Sequence, residues 1–222
     1  MIQYLSYIID EQTPTYGNRD SVKLIKKSSL ANDEPANNTH IQTTTHVGTH
    51  VDMPYHFFED GQTIRDFEAS FWFFTNPLFV EITPKDFVVH DELINKLTPI
   101  DNKSRYDILI VKTGMCNKRD HSDFGEKNVG FAPEISDYLR NNFPNVRIFG
   151  FDSVSVSSFQ ARMIGREAHR AFLNPKHPII LLEDMDLKDI TNNTVINELI
   201  ISPLRISQSD GIPVTIMVKI SL

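Results

Sequence analysis

One cysteine in 222 residues, Cys116, excludes an intrachain disulfide and fits a reducing compartment. No apolar stretch is long enough to span a bilayer, and the opening residues MIQYLSYIIDEQ carry no basic leader, no long apolar core and no small-residue cleavage site. A cytoplasmic protein with no membrane partner is expected. Positive charge is scarce as well: 22 Lys and Arg face 29 Asp and Glu, a formal charge of -7. No basic cluster exists to neutralise phosphates, which argues against nucleic acid as a partner. The densest basic run, Lys23 to Lys27, reads as a solvated strand edge. Internal repeats, low-complexity tracts and Gly/Ser linkers are also missing. With no seam at which to divide the chain, residues 1–222 read as one domain, self-sufficient or assembled as a homodimer or homotetramer.

What is present is an ordinary globular composition, 40% hydrophobic and 23% charged. Short runs rich in β-branched and aromatic residues, bounded by turn formers, predict strands over 4–9, 22–26, 40–45, 78–82, 108–112, 146–151, 179–182 and 214–220. Helical periodicity predicts helices over 133–142 and 160–173, with a shorter one over 91–97. Strands outnumber helices, and the helices come late. The expectation is an α/β domain with a mixed sheet flanked by helices, not a regular βαβ alternation. The segments 32–38 and 117–128 read as long surface loops.

The chemistry is concentrated in Thr45-His46-Val47-Gly48-Thr49-His50-Val51-Asp52-Met53-Pro54-Tyr55-His56-Phe57. Here His46, His50, Asp52 and His56 all occupy even positions, one face of an extended chain. A straight strand still cannot make them share an ion. Four extended residues span roughly 13 Å, whereas imidazole ligands sit about 2 Å from a metal. Gly48 and Pro54 stand where the backbone would have to bend, so a strand ending near Thr45 and turning into a loop around the site is expected. A lone histidine is usually a hydrogen-bonded core or surface residue; three in register with an aspartate and two bending residues point to metal. Imidazole with carboxylate suits zinc, manganese or iron better than an all-oxygen calcium or magnesium cage.

The pattern H-x-G-T-H-x-D-x-P-x-H-F resembles the signature of the cyclase family, which includes bacterial kynurenine formamidase and isatin hydrolase. Gly150-Phe151-Asp152 with Ser153 and Ser155, Arg166-Glu167-Ala168-His169 followed by Ile180-Leu181-Leu182-Glu183, Ser202-Pro203-Leu204-Arg205 and Asp210-Gly211-Ile212-Pro213-Val214 are similar to later segments of that family. The likeness is weakest before residue 40. It implies a swivelling β/β/α-like fold. It also implies a divalent metal, Zn2+ or Mn2+, as one or two ions: His46, His50 and Asp52 hold the first, and Asp52 bridges to a second held by His169 and Glu183. His56 is implied as the general acid/base. A carboxylate ending a buried run is costly unless paired or metal-bound, which independently favours a role for Glu183; the alternative is a charge just outside the core.

The reaction the resemblance implies is hydrolysis, by metal-activated water, of an amide-type bond in a small-molecule formamide, such as N-formylkynurenine, or in a lactam. The alternatives are a polyketide-type cyclase or dehydratase, and a non-catalytic metal- or ligand-binding protein on the same fold. Asp152 is expected to hold the helix carrying His169. His40, His90, His121 and His177 lie in polar loops or at strand ends without a partner at ligand spacing. Cys116 has nothing nearby to lower its pKa and is not expected to be a nucleophile. Phe71, Trp72, Phe73 and Phe74 read as core or subunit interface.

Overall fold

Alternating apolar and turn-forming segments become strands along most of the chain in the computed structural model, which describes residues 1–221. In chain order these are β1 (Ile2–Tyr4), β2 (Lys23–Ser28), β3 (Asn38–Gln42), β4 (His50–Asp52), β5 (Phe73–Phe74), β6 (Pro77–Glu81) and β7 (Val88–Val89). Helix α1 (Asp91–Leu97) is followed by β8 (Ile108–Lys112), β9 (Gly130–Phe131), α2 (Glu134–Asn142), β10 (Ile148–Phe151) and α3 (Arg162–Phe172). The chain closes with β11 (Ile180–Glu183), β12 (Val195–Pro203) and β13 (Gly211–Ser221).

One nine-stranded sheet runs in the order β5-β12-β13-β4-β11-β10-β8-β6, with β1 also paired to β13. Strands β6, β8, β10 and β11 are mutually parallel. On the other side β4, β13 and β12 pair antiparallel. The sheet is mixed, as expected, and it curls until β12 comes close to β6, so that it approaches a barrel. The three α-helices flank it. Among the described residues no helix is long and apolar enough to cross a membrane.

Strand parity explains why β8, β10 and β11 are buried throughout. Ile108, Ile110, Ile148, Ile180 and Leu182 point into the inside of the curled sheet. Their neighbours Leu109, Val111, Phe149, Phe151 and Leu181 point into the layer beneath the helices. Both faces are covered, which is why these strands read as continuous apolar runs and not as alternating ones. The rigid seam they make carries the chemistry at its edge, where β4 joins the parallel half to the antiparallel half.

Three strand expectations need correction. The strand over 40–45 ends at Gln42, and the extended segment beside the motif is His50–Asp52 instead. Gly48, in the left-handed region at φ +63°, turns the chain before that short strand inserts between β11 and β13. The strand over 4–9 stops at Tyr4, leaving only a single bridge from Ser6 to Met185. Strand β12 was not expected: a bulge between Ile196 and Glu198 breaks its period-two alternation, so Asn197 and Glu198 interrupt the apolar pattern. The basic run at Lys23 lies in the β2–β3 hairpin, which is solvated as predicted.

Candidate metal centre

Strand β4 brings the pieces together because it lies between two partners. His50 and Asp52 share one face by parity, and the register sets Glu183 of β11 directly opposite His50. The turn at Gly48 folds His46 back over this face, so its ring centroid is 5.3 Å from that of His50. After Asp52 the chain passes through Met53 into a short 3-10 turn, Pro54–His56, which carries His56 to a ring separation of 4.1 Å from His46. Gly61 packs against this turn so closely that a Cβ there would fall 2.4 Å from the Pro54 carbonyl carbon. Helix α3 supplies His169 from the opposite wall.

Asp52 is the hub. Its Oδ1 lies 2.8 Å from His46 Nδ1 and 3.4 Å from His50 Nε2, and its Oδ2 lies 3.3 Å from His169 Nε2. Glu183 closes the cluster, with Oε2 3.4 Å from His50 Nε2 and Oε1 4.0 Å from His169 Nε2. The second nitrogen of each imidazole is tied to a protein oxygen. His46 Nε2 is 2.8 Å from Asp210 Oδ2. His50 Nδ1 is 2.8 Å from the Gly48 carbonyl, and His169 Nδ1 is 2.8 Å from the Gly165 carbonyl. Those acceptors hold an N–H on the outer nitrogen, so the inner nitrogen, which faces the carboxylates and carries the proton a metal would displace, is the one free to become a ligand. This is the outer-shell arrangement of histidines that ligate metals. Two nitrogen-and-oxygen groups are each close enough to hold an ion: His50, Asp52 and Glu183, and His46, Asp52 and His56. Asp52 belongs to both. This grouping divides the donors differently from the split implied by resemblance.

Asp52 and Glu183 are almost wholly buried, and two carboxylates this close inside a protein need a compensating cation. Burial alone would raise the Asp52 carboxyl, but the His46 charge and hydrogen bonds from His169, His46 and His50 hold it well below the usual carboxylate range. Burial disfavours the charged His46 imidazole, yet Asp52 and Asp210 outweigh burial and lift it to about 9. His50 and His169 are raised in the same way, against burial, by Asp52 and Glu183. Protons therefore compete with metal for these nitrogens, and a raised pKa keeps the proton bound to higher pH. Zinc affinity, measured by chelator competition, is expected to rise about tenfold or more per pH unit between about pH 6 and 8, as each ion displaces at least one proton. A flat profile would contradict the ligand set.

Asp210 was not identified as a site residue from sequence, where it belonged only to the closing strand. Its Oδ2 also lies 3.1 Å from His56 Nδ1, and its Oδ1 accepts from Thr45 Oγ1 at 2.9 Å. Burial raises this carboxyl, but hydrogen bonds from His46 and His56 keep it below the ordinary range. The neighbouring glycine is required by space: a Cβ on Gly211 would sit 2.6 Å from His46 Cε1 and 2.8 Å from the Val51 carbonyl oxygen. Gly211→Ala is expected to push the His46 ring aside, weakening zinc binding at least about tenfold and costing about 1–3 kcal/mol of stability. Zinc titration and thermal unfolding of the variant test this.

Asp152 does not hold α3; it accepts from the backbone N–H groups of Thr113, Gly114 and Cys116 and from the Thr113 hydroxyl, pinning the loop after β8. The reason is topological, since β10 neighbours β8 and its end meets that loop. Cys116 is buried, and burial followed by Asp152 pushes its thiol up to about 12, which leaves no thiolate for nucleophilic chemistry. Trp72 and Phe74 are core, while Phe73 is partly exposed.

The family described as "Putative cyclase" matches residues 4–158, a span that holds His46 to His56 and ends before α3 and β11. "Cyclase-like protein 2" of Oryza sativa subsp. japonica is 26% identical over 219 residues, 95% of this chain and 76% of that protein. "Kynurenine formamidase" of Geobacillus thermodenitrificans is 25% identical over 212 residues, 95% and 93% of the two chains. Among solved structures, isatin hydrolase A from Labrenzia aggregata superposes with a TM-score of 0.79 at 20% identity, covering 98% and 93%. A potential metal-dependent hydrolase with cyclase activity gives 0.76 at 18%, covering 98% and 96%. At these identities the structural likeness is one of fold.

Proposed function

The chain belongs to the putative cyclase family, and from that premise we propose that it is a metal-dependent hydrolase that cleaves the amide-type bond of a formamide or lactam. One observation carries this reading: three imidazoles, each anchored through its outer nitrogen, converge with their inner nitrogens on Asp52 and Glu183. His46, His50, Asp52, His169 and Glu183 are the proposed ligands of zinc or manganese, one ion or two. A bound ion of this kind supplies Lewis acidity toward a carbonyl and toward water. Relatives bearing the name kynurenine formamidase support a formamide, N-formylkynurenine among them, as the substrate.

Amide hydrolysis also needs a proton taken from water and a proton given to the departing nitrogen. His56 is proposed for both tasks. Its Nδ1–H is held by Asp210, which leaves Nε2 as the basic nitrogen, and the ring lines the same cleft as the metal ligands. Asp210 thus orients a ligand and the proton carrier together. A purely structural metal site would have no use for His56. Purified protein loaded with zinc or manganese is expected to release formate from aryl formamides, and chelator treatment is expected to abolish the reaction until metal is restored. Activity that survives complete metal removal would rule the mechanism out.

A further inference from the structure

The metal ligands open into a cleft of about 360 Å³ whose other wall carries Arg19, Arg162 and Arg166. Helical spacing explains two of them. Arg162, Arg166 and His169 stand at i, i+4 and i+7 of α3, so the stripe that presents His169 to Asp52 also presents two guanidinium groups to the cleft. Arg166 is about 4.5 Å and Arg162 about 10 Å from His169 along the helix axis. Phe159 braces the outer end: the Arg162 guanidinium lies 3.7 Å above its ring, and that of Arg19 lies 5.7 Å from it.

Among the described residues Arg65, Arg105, Arg170 and Arg205 also lack an ion pair, so what sets Arg19, Arg162 and Arg166 apart is that they line the metal cleft with no carboxylate bound to them. Elsewhere in the chain Arg119, Arg140 and Arg147 pair with Asp184, Asp137 and Asp107. Among the described residues Arg19, Arg162 and Arg166 form no ion pair, although the protein carries a net charge of -7. Asp20 is the one carboxylate on that wall, against three cations. From this arrangement, and resting on the hydrolase reading above, we infer that the substrate carries a carboxylate, gripped by Arg162 and Arg166 with Arg19 at the rim while its amide lies at the metal centre. A guanidinium fork matches a planar carboxylate in two parallel hydrogen bonds, and an unpaired cationic wall draws anions inward before contact. The spacing along α3 puts that carboxylate across the body of the substrate from the scissile bond. Tyr16 and Phe57 line the same cleft, Phe57 stacked on the His169 ring.

The test uses metal-loaded protein with 4-formamidobenzoate, its methyl ester and formanilide, reading formate release at low and high ionic strength. The acid is expected to be preferred over its ester by about tenfold or more in kcat/KM, mostly through KM, with the margin shrinking in salt. In the Arg162→Gln/Arg166→Gln double variant the acid-to-ester ratio is expected to fall to about one, whereas Arg105→Gln, outside the cleft, keeps the preference. Equal turnover of acid and ester by the unmodified protein, or a preference that persists in the double variant, overturns the carboxylate assignment and leaves the hydrolase reading intact. Failure to release formate from all three overturns the formamide reading and the carboxylate assignment with it.

Discussion

Asp52→Asn is expected to lower zinc or manganese affinity by at least about 100-fold and formamide hydrolysis by at least about 1,000-fold, with little change in the fold. The substitution keeps the side chain's shape but removes the charge on which His46, His50 and His169 converge. Asparagine offers one carbonyl oxygen where aspartate offers two, so it cannot serve both donor groups to which Asp52 belongs. The three imidazoles would retain their outer hydrogen bonds and lose the carboxylate at the centre. Isothermal titration with zinc, together with elemental analysis, reads the first effect, and formate release reads the second. Near-normal metal content in this variant would mean that Asp52 is not the hub.

The second large effect separates proton transfer from metal binding. His56→Asn can still donate a hydrogen bond to Asp210, as the imidazole does, but it has no basic nitrogen to offer the cleft. A fall in kcat of about 100- to 10,000-fold is expected, the range usual for loss of a general acid or base. Metal content should persist, because the proposed ligands are untouched. If the variant instead loses its metal and its activity in proportion, His56 is a ligand; the group of His46, Asp52 and His56 would then be the one that holds an ion.

The motif from His46 to His56 was legible because its information is local: parity, a glycine and a proline within a dozen residues. The bends expected at Gly48 and Pro54 are present, but the strand expected to end near Thr45 is misplaced. The strand falls on His50–Asp52, after the Gly48 turn, since pairing with β11 and β13 decides where extension is stabilised. His169 could be named only through resemblance to a family, and Glu183 through that resemblance together with its place at the end of a buried apolar run. Their sequence distance from the motif is spanned by the pairing of β4 with β11 and by the packing of α3, neither of which is written in a local pattern. Asp210 escaped for the same reason: it lies 164 residues from His46, and only the β13–β4 register brings the two together. The signal that could have found it is the Asp-Gly pair, where glycine leaves room for a ring and aspartate binds it. Helix α3 was predicted almost to its ends, yet the functional stripe of arginines was not read from it. Two cations on an exposed helical face look solvated until the cleft they border is known. Asp152 was assigned the wrong partner because a strand end can face any loop its neighbours supply.

The most direct measurement of the central claim is anomalous diffraction at the zinc and manganese edges from crystals of the protein grown with each metal. The account predicts a strong peak among His46, His50, Asp52, His169 and Glu183, within bonding distance of Asp52, with Asp210 still hydrogen-bonded to His46. No peak there at full occupancy of metal in solution, or a peak that leaves Asp52 without a bond to the ion, would contradict it.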